Sequence, residues 1–350
     1  MQGLHFLGDR RLALESYPDP HAGPGEVVVK IGRAAVCGTD IHKYRAPAQY
    51  IETLPDGSAL IVGHEPAGWI AEIGEGVTGL QTGDRVLLAG VVGCGRCAWC
   101  HQGYNTACEA GVSGLGWKRH GCDATHIVWP AANVFVLPEK MSLDCATVLT
   151  CAGGTAYTTL RETDLRGEDR LAIVGLGPVG LCLLLLAKSL GVRTVGVDVA
   201  PNRLEQALNL GLDCAVDASQ EDAVAAVRRW SGGRGCEVVA ECVGKPETKH
   251  QALEMAATRG RVAIAGLGGE PLSLNTDRFF IGGQLRLIGI LATPLRYFAP
   301  LIQRTVEYDL PFERLITHHF PLEAAAEAFA VMESGRSGKV LFDVAEKLNG

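Results

Sequence analysis

From residue 152 onward, apolar strand-like runs alternate with helical patterns, and this alternation constrains the fold more than any other feature of the chain. The runs are RLAIVG (170–175), TVGVDV (194–199), CEVVAEC (236–242), RVAIAG (261–266) and LRLIGIL (285–291). Helix-like segments such as VGLCLLLLAKSLG and PNRLEQALNLG lie between them. Because β-α alternation at this spacing implies right-handed crossovers, the pattern predicts a parallel sheet covered by helices on both faces.

A glycine-rich loop, Gly175-Leu-Gly177-Pro178-Val179-Gly180, follows the first of these runs and opens a helix. Its glycines permit a tight turn, let the backbone approach a pyrophosphate and allow the helix to pack on the sheet. The free N–H groups at the start of that helix favour phosphates. Gly-rich turns are common, but the strand before this one and the helix after it predict a dinucleotide-binding domain.

Asp198 ends the next strand, 198 − 175 = 23 residues after the first glycine, close to the expected spacing of about 20. Its carboxylate can accept hydrogen bonds from an adenosine ribose diol and would repel a 2′-phosphate, which favours NAD over NADP. The alternative is a turn residue or helix cap before Pro201. Arg203 lies near enough to weaken the preference for NAD.

The chain up to about residue 150 is built from short strand-like runs separated by Gly and Pro. Examples are GEVVVKIG (25–32), GWIAEIGEGV (68–77) and TGDRVLL (82–88). Their period-2 alternation predicts a twisted antiparallel domain, a partly closed barrel. Because the stretch from about residue 292 returns to mixed character, we expect it to rejoin this domain. The expected boundaries are therefore 1–151 with 292–350, and 152–291.

Four cysteines follow the spacing C-x2-C-x2-C-x7-C, at Cys94, Cys97, Cys100 and Cys108. This spacing suits a tetrahedral metal, with disulfides or free thiols as alternatives. The N-terminus lacks the features of a signal peptide, so we expect the reducing cytoplasm, where the twelve cysteines would be thiols or metal ligands. The lobe 94–108 is therefore predicted to hold a structural zinc with closed coordination.

Charge and hydropathy argue against two classes of partner. The formal net charge of -7 provides no basic face for nucleic acid or an anionic membrane. The most apolar run, LCLLLLAKSL after Gly180, is broken by Lys188 and is too short to cross a bilayer.

Three further segments contain residues that bind metals: AAVCGTDIHKY with Cys37, IVGHEPAG with His64, and VLTCAGGTAY with Cys151. Singly, each is unremarkable, since a lone Cys or His is common in a core. With GHE-x2-G-x5-G-x2-V (63–77), the cysteine lobe and the glycine loop, the chain resembles the zinc-dependent alcohol dehydrogenases of the medium-chain dehydrogenase/reductase family over essentially its whole length.

The resemblance implies a GroES-like catalytic domain, a Rossmann NAD-binding domain and two zinc ions per subunit. The catalytic zinc would be held by Cys37, His64 and Cys151, with the fourth position open for water or alcohol. In the family, Glu65 sits close behind the metal and can ligate it transiently. Asp40 would orient the His64 imidazole; the alternative is an Asp that starts a short helix.

The resemblance also implies a proton relay from the Thr39 hydroxyl through the cofactor ribose to His42. Thr155 would pack against the nicotinamide ring. Lys339 falls near the place where relatives put a basic residue for the cofactor pyrophosphate; otherwise it is an ordinary surface charge. Where some relatives carry an Arg for the pyrophosphate, this chain has Gly38.

The expected activity is reversible hydride transfer between an alcohol and NAD, giving a ketone or aldehyde. Gly90 replaces a large aromatic residue of several relatives, so we expect secondary, branched or cyclic alcohols to be preferred over ethanol. A polyol, sugar-alcohol or amino-alcohol dehydrogenase is the close alternative, although Cys151 as third ligand favours the alcohol dehydrogenase branch. Zinc-independent reductases lack this ligand set, and a redox sensor would not need the relay.

An apolar sheet edge near 285–291 suggests a homodimer or homotetramer.

Overall fold

A computed structural model describes residues 1–348 of the chain. The chain divides into two compact units, one formed by Met1–Gly154 with the chain from Thr293 onward, the other by Thr155–Ala292. The first boundary, after Gly154, lies three residues beyond the expected 151, and the second, after Ala292, lies one residue beyond the expected 291. No helix within residues 1–348 is both long enough and apolar enough to span a membrane.

The first unit is rich in strands, which are numbered along the chain. They are β1 Gln2–Gly8, β2 Arg11–Ser16, β3 Glu26–Val36, β4 Pro66–Ile73, β5 Arg85–Leu88, β6 Val91–Val92, β7 Ser113–Leu115, β8 Lys118–Arg119, β9 His126–Pro130, β10 Val134–Val136, β17 Ile316–Pro321 and β18 Lys339–Asp343. Seven form one sheet of order β10-β5-β4-β3-β18-β17, with β9 also paired to β3. All its pairs are antiparallel except β17 with β18, which confirms the predicted antiparallel character.

Strand β3 is the centre of this sheet, because it pairs with β4, β9 and β18. Its alternating residues Val27, Val29 and Ile31 are completely buried, as a strand with one face on a core requires. Gly68 on β4 faces β3 so closely that a Cβ would lie 2.0 Å from the Lys30 carbonyl oxygen. A glycine is therefore needed where these two strands meet.

The first unit also contains helices, most of them short. They are α1 Gly38–Arg45, α2 Ala98–His101, α3 Leu143–Val148, α9 Leu295–Glu307 and α10 Ala325–Glu333, with 3₁₀ turns at Ala48–Tyr50, Asn105–Ala107, Ala131–Asn133, Phe312–Leu315 and Leu322–Ala324. An aromatic cluster packs α1 and α10 against β1: the ring centroid of Phe329 lies 5.0 Å from Tyr44 and 5.3 Å from Phe6. Burial of these rings is a major source of stability for the unit.

The second unit contains a six-stranded, fully parallel sheet of order β13-β12-β11-β14-β15-β16. Its strands are β11 Arg170–Val174, β12 Arg193–Asp198, β13 Cys214–Asp217, β14 Cys236–Glu241, β15 Ala256–Ile264 and β16 Arg286–Gly289. The order reverses at β11, so the sheet is doubly wound. This confirms the fold class predicted from the alternation.

One helix of the second unit precedes β11 in sequence, and the others lie between the strands. They are α4 Gly154–Glu162, α5 Pro178–Lys188, α6 Pro201–Asn209, α7 Ala223–Trp230 and α8 Pro246–Met255, with a π-helical turn at Asp277–Gly282. Helix α5 is buried from Gly180 to Ala187, which explains why its sequence is apolar on every side. Proline at the first turn of α5, α6 and α8 fits the position where a missing N–H costs nothing.

The cysteine lobe at 94–108 is fastened to the start of α9 by one buried side chain. Asn105, which is 2% exposed, donates from Nδ2 to the Val91 carbonyl oxygen at 2.6 Å and accepts the Leu295 N–H at Oδ1 at 2.8 Å. The Tyr104 and Tyr297 hydroxyl groups meet at 3.1 Å beside it. The amide of Asn105 thus joins β6, the lobe and α9.

Replacing Asn105 with Ala should therefore lower the free energy of unfolding by about 1 to 3 kcal/mol, because the Leu295 N–H loses its acceptor and the Val91 carbonyl oxygen keeps only the Asn133 amide as a donor. Urea unfolding measures the change. The exposed Asn209, replaced in the same way, is the matched control and should change stability by less than about 0.5 kcal/mol. Equal effects of the two substitutions would contradict this role of Asn105.

Candidate functional site

The first part of the site forms where β3 ends and α1 begins. Cys37 is the N-cap of α1, and its N–H donates to Asp40 Oδ2 at 2.9 Å. The other carboxylate oxygen, Oδ1, lies 3.2 Å from His64 Nδ1. Asp40 is 4% exposed, so this buried carboxylate fixes the imidazole and leaves Nε2 to face the thiols.

Cys151 lies on a π-helical turn, Leu149–Gly153, between α3 and α4. Its Sγ is 3.9 Å from Cys37 Sγ. Ligand atoms of Cys37, His64, Glu65 and Cys151 all lie within 4.8 Å of one another. The structure therefore brings together the three expected zinc ligands, and Glu65 with them.

The chemistry and spacing of this donor set fit zinc. Two sulfur atoms bound at about 2.3 Å to a tetrahedral zinc lie about 3.8 Å apart, which matches the observed 3.9 Å. The hydrogen bond between the two thiols lowers the pKa of Cys37 well below its ordinary value and raises that of Cys151. The site thus already stabilises one thiolate, the form that binds metals.

Glu65 and Lys339 form a fully buried ion pair next to these donors. Glu65 is 0% and Lys339 1% exposed. Lys339 Nζ donates to Glu65 Oε1 at 2.6 Å and lies 2.5 Å from Oε2. Burial raises the pKa of Glu65 to about 7 despite the opposing effect of the ammonium group. This placement corrects the expectation for Lys339, because its buried ammonium group is committed to Glu65 rather than available to a pyrophosphate.

The expected relay residues lie on α1, three positions apart. Thr39 is half-buried and His42 is exposed, and residues three apart share one face of a helix. Thr155 is buried on α4, where its carbonyl oxygen accepts the Thr159 hydroxyl at 2.9 Å. Its contact with a nicotinamide ring stays a prediction.

The four cysteines of the lobe form a second cluster. The ligand sulfurs of Cys94, Cys97, Cys100 and Cys108 all lie within 4.8 Å of one another. The Cys94 N–H donates to Cys108 Sγ at 3.2 Å. Backbone N–H groups lower the pKa of Cys97 to about 6. Four converging sulfurs suit a coordinatively closed zinc, with no position left for substrate.

The glycine loop of the second unit has the geometry expected for a phosphate cradle. Gly175 has φ +95°, and at Gly180 a Cβ would lie 2.1 Å from the Gly175 carbonyl oxygen. At Gly177, the N-cap of α5, a Cβ would meet nothing within 4 Å. Pro178 and Val179 begin the helix. The space beside Gly177 and the free N–H groups of the first turn fit a bound pyrophosphate.

Asp198 stands at the carboxyl end of β12, beside this loop. Its Oδ2 accepts the Leu176 N–H at 2.8 Å, and its Oδ1 accepts the N–H groups of Val199 and Ala200 at 2.8 and 2.9 Å. Arg203 Nη1 lies 3.8 Å from Oδ2. The carboxylate thus caps the following turn, as the alternative interpretation held, and also supports the glycine loop. Its contact with a ribose stays a prediction.

Two further carboxyl groups are buried at positions that no sequence pattern predicted. Asp123 is completely buried and packs against Gly63, where a Cβ would lie 2.0 Å from its Oδ1. Burial, with the nearby charge of Asp40, raises its pKa well above the ordinary value. Glu241 ends β14 and accepts the N–H groups of Val243 and Gly244. Neither lies in a motif or spacing that could have revealed it.

Both units match known protein families. The family "Alcohol dehydrogenase GroES-like domain" matches residues 23–139, and the family "Zinc-binding dehydrogenase" matches residues 178–307. The chain is 31% identical over 349 residues to the uncharacterized zinc-type alcohol dehydrogenase-like protein YphC of Escherichia coli (strain K12), covering 98% of each chain. It is 33% identical over 325 residues to the L-threonine 3-dehydrogenase of Enterobacter sp. (strain 638), covering 93% of this chain and 94% of the relative.

Solved structures agree with these relatives. The alcohol dehydrogenase TADH from Thermus sp. ATN1 superposes with a TM-score of 0.89 at 30% identity, over 99% of this chain and 100% of that one. The alcohol dehydrogenase RspB from E. coli CFT073, complexed with NADH, superposes with a TM-score of 0.89 at 25% identity, over 98% and 99%. The chain therefore belongs to the zinc-type alcohol dehydrogenases of the medium-chain dehydrogenase/reductase family.

Proposed function

We propose that the protein is an NAD-dependent zinc dehydrogenase that oxidises secondary, branched or cyclic alcohols to ketones or aldehydes, reversibly. The observation that carries the proposal is the convergence of Cys37, His64 and Cys151, whose ligand atoms lie within 4.8 Å of one another. Two sulfurs and one nitrogen leave a tetrahedral metal one open position, which a catalytic site requires and the lobe of four cysteines does not offer.

When bound, zinc would lower the pKa of an alcohol hydroxyl and NAD would accept the hydride. The remaining chemistry is the removal of the hydroxyl proton by the protein. Thr39 lies two residues after the ligand Cys37, and its hydroxyl can accept and pass on a proton. His42 is exposed on the same helix, and its imidazole can release the proton to solvent. Asp40, between them, holds His64 in place.

The preference for NAD rests on Asp198, whose fixed negative charge would repel a 2′-phosphate. Arg203 is the nearest opposing cation, but its guanidinium lies towards Asp198, which lessens its availability to a phosphate. NADH in the RspB complex is consistent with this preference.

The polar-substrate alternative draws support from one relative, because a 33% identical protein is named L-threonine 3-dehydrogenase. An amino-alcohol or polyol substrate would use the same metal centre and relay. NAD reduction with primary, secondary, cyclic and polyhydroxy alcohols and L-threonine separates the two proposals. Threonine turnover far above that of every simple secondary alcohol would favour the alternative.

We also propose that the protein forms a homo-oligomer and works in a reducing compartment. Strand β16 is the edge of the parallel sheet, and Leu287 and Leu291 near it are 39% and 56% exposed. Such an edge favours pairing with a second copy. All twelve cysteines, which lie within residues 1–348, are free of disulfides, as expected in the cytoplasm.

Replacing Cys151 with Ala should remove one of two zinc ions per chain and lower kcat/KM about a thousandfold or more, because the catalytic metal loses a ligand. Metal analysis and NAD reduction measure the two effects. The matched control is Cys145→Ala, a buried cysteine on α3 outside the cluster, which should keep both zinc ions. Activity that survives Cys151→Ala would contradict the site.

Cys100→Ser should remove the other zinc ion and reduce stability first, because a structural zinc contributes several kcal/mol to folding. Thermal unfolding and zinc content are compared with Cys214→Ser, a half-buried cysteine of the second unit. Activity should fall only as the protein unfolds. Loss of turnover with unchanged stability would assign the lobe to catalysis instead.

Gly90→Phe should narrow the substrate range. A Cβ on Gly90 would lie 3.3 Å from the His64 carbonyl oxygen and 3.6 Å from Leu115 Cδ1, so a larger side chain occupies space beside a zinc ligand. We expect kcat/KM for cyclic alcohols to fall at least about tenfold more than that for ethanol. Gly90→Ala should give a smaller change in the same direction. A wild-type preference for ethanol of tenfold or more would refute the roomy pocket.

A further inference from the structure

We propose that Lys339 is a positioning residue that holds the Glu65 carboxylate back from the catalytic metal and so keeps the metal's fourth coordination position open. The inference rests on the proposed function, because it concerns a metal bound by Cys37, His64 and Cys151. It assigns to Lys339 a task inside the metal centre in place of the pyrophosphate contact expected from the sequence.

Glu65 is placed where it could become a ligand. Its Oε1 lies 3.9 Å from His64 Nε2, and it belongs to the cluster of donors within 4.8 Å. Its Oε2 is buried and lies 2.5 Å from the Lys339 ammonium group. A small rotation of the side chain could exchange the ammonium group for the metal.

The backbone at both ends of the ion pair is fixed by the central sheet. Val340, next to Lys339, pairs with Val36 of β3, and the Ala35 N–H donates to the Glu65 carbonyl oxygen at 3.0 Å. Lys339 Nζ also approaches the Val36 carbonyl oxygen at 3.3 Å, next to Cys37. The ammonium group is therefore held by two acceptors, the Val36 carbonyl oxygen and Glu65 Oε1.

The charges around Glu65 explain why its carboxylate does not normally leave the ammonium group for the metal. With a divalent metal bound, its charge and that of the Lys339 ammonium group would balance two thiolates and the Glu65 carboxylate. With both partners at most 1% exposed, water does not screen the pair, and a lone buried carboxylate is strongly unfavourable. Without the ammonium group, the metal becomes the nearest cation to which Glu65 can turn.

The test measures access to the fourth position with imidazole, a simple zinc ligand, on protein in which cobalt replaces the catalytic zinc. The visible cobalt spectrum reports imidazole binding independently of turnover. Lys339→Met should raise the imidazole Kd at least tenfold, because Glu65 occupies the position. The double variant Glu65→Gln, Lys339→Met should return to within threefold of the wild type. Lys339→Arg, which keeps a buried cation, should also stay within threefold.

A purely structural role of Lys339 would give another pattern: lower stability in Lys339→Met with unchanged imidazole affinity, which overturns the proposal. If Lys339→Met does not fold, Lys339→Gln replaces it in the test. Because the glutamine can still donate a hydrogen bond to Glu65, we expect a smaller rise in the imidazole Kd. Adding Glu65→Gln to this variant should cancel that rise. No rise there overturns the proposal equally. If the wild type binds no metal at this cluster, the proposed function itself fails, and metal analysis detects that separately.

Discussion

The antiparallel pairing of β3 with its neighbours is the constraint on which the metal centre depends. Strand β3 runs directly into Cys37, β4 begins after His64 and Glu65, and β18 begins with Lys339. Because backbone hydrogen bonds set the register of these strands, residues that are distant in sequence meet at one end of the sheet. Cys151 then reaches the cluster from the π-helical turn before α4.

Burial gives this centre its electrostatic character. Asp40, Glu65 and Asp123 are each at most 4% exposed, and Lys339 is the one lysine or arginine among residues 1–348 that forms an ion pair with any of them. In a low-dielectric interior, each charge depends strongly on its nearest partner. Burial and the nearest charged group together therefore set the charge state of these carboxyl groups.

The fold was largely predictable from local patterns. Alternation of strands and helices predicted the parallel sheet. The cysteine lobe was recognisable as a metal-binding pattern because its four cysteines lie within fifteen positions. The catalytic donors span more than a hundred positions, so spacing alone could not connect them, and the family resemblance did. The pairing of Lys339 with Glu65 was missed, because a lysine at the start of an apolar strand gives no local sign of burial. The role of Asn105 was missed because an asparagine in the cysteine lobe also gives no local sign of burial.

The discontinuous first unit also sets an order of events during synthesis. Residues 155–292 form the second unit from one continuous stretch, whereas β18 must insert between β3 and β17 after nearly the whole chain has left the ribosome. Domains generally fold as units while the chain is made. A nascent chain can therefore complete its second unit before the first, in which Lys339 is the last charged residue of the donor cluster to be synthesised. The cluster of Cys37, His64, Glu65 and Cys151 thus receives its buried ammonium group only when the chain is nearly complete.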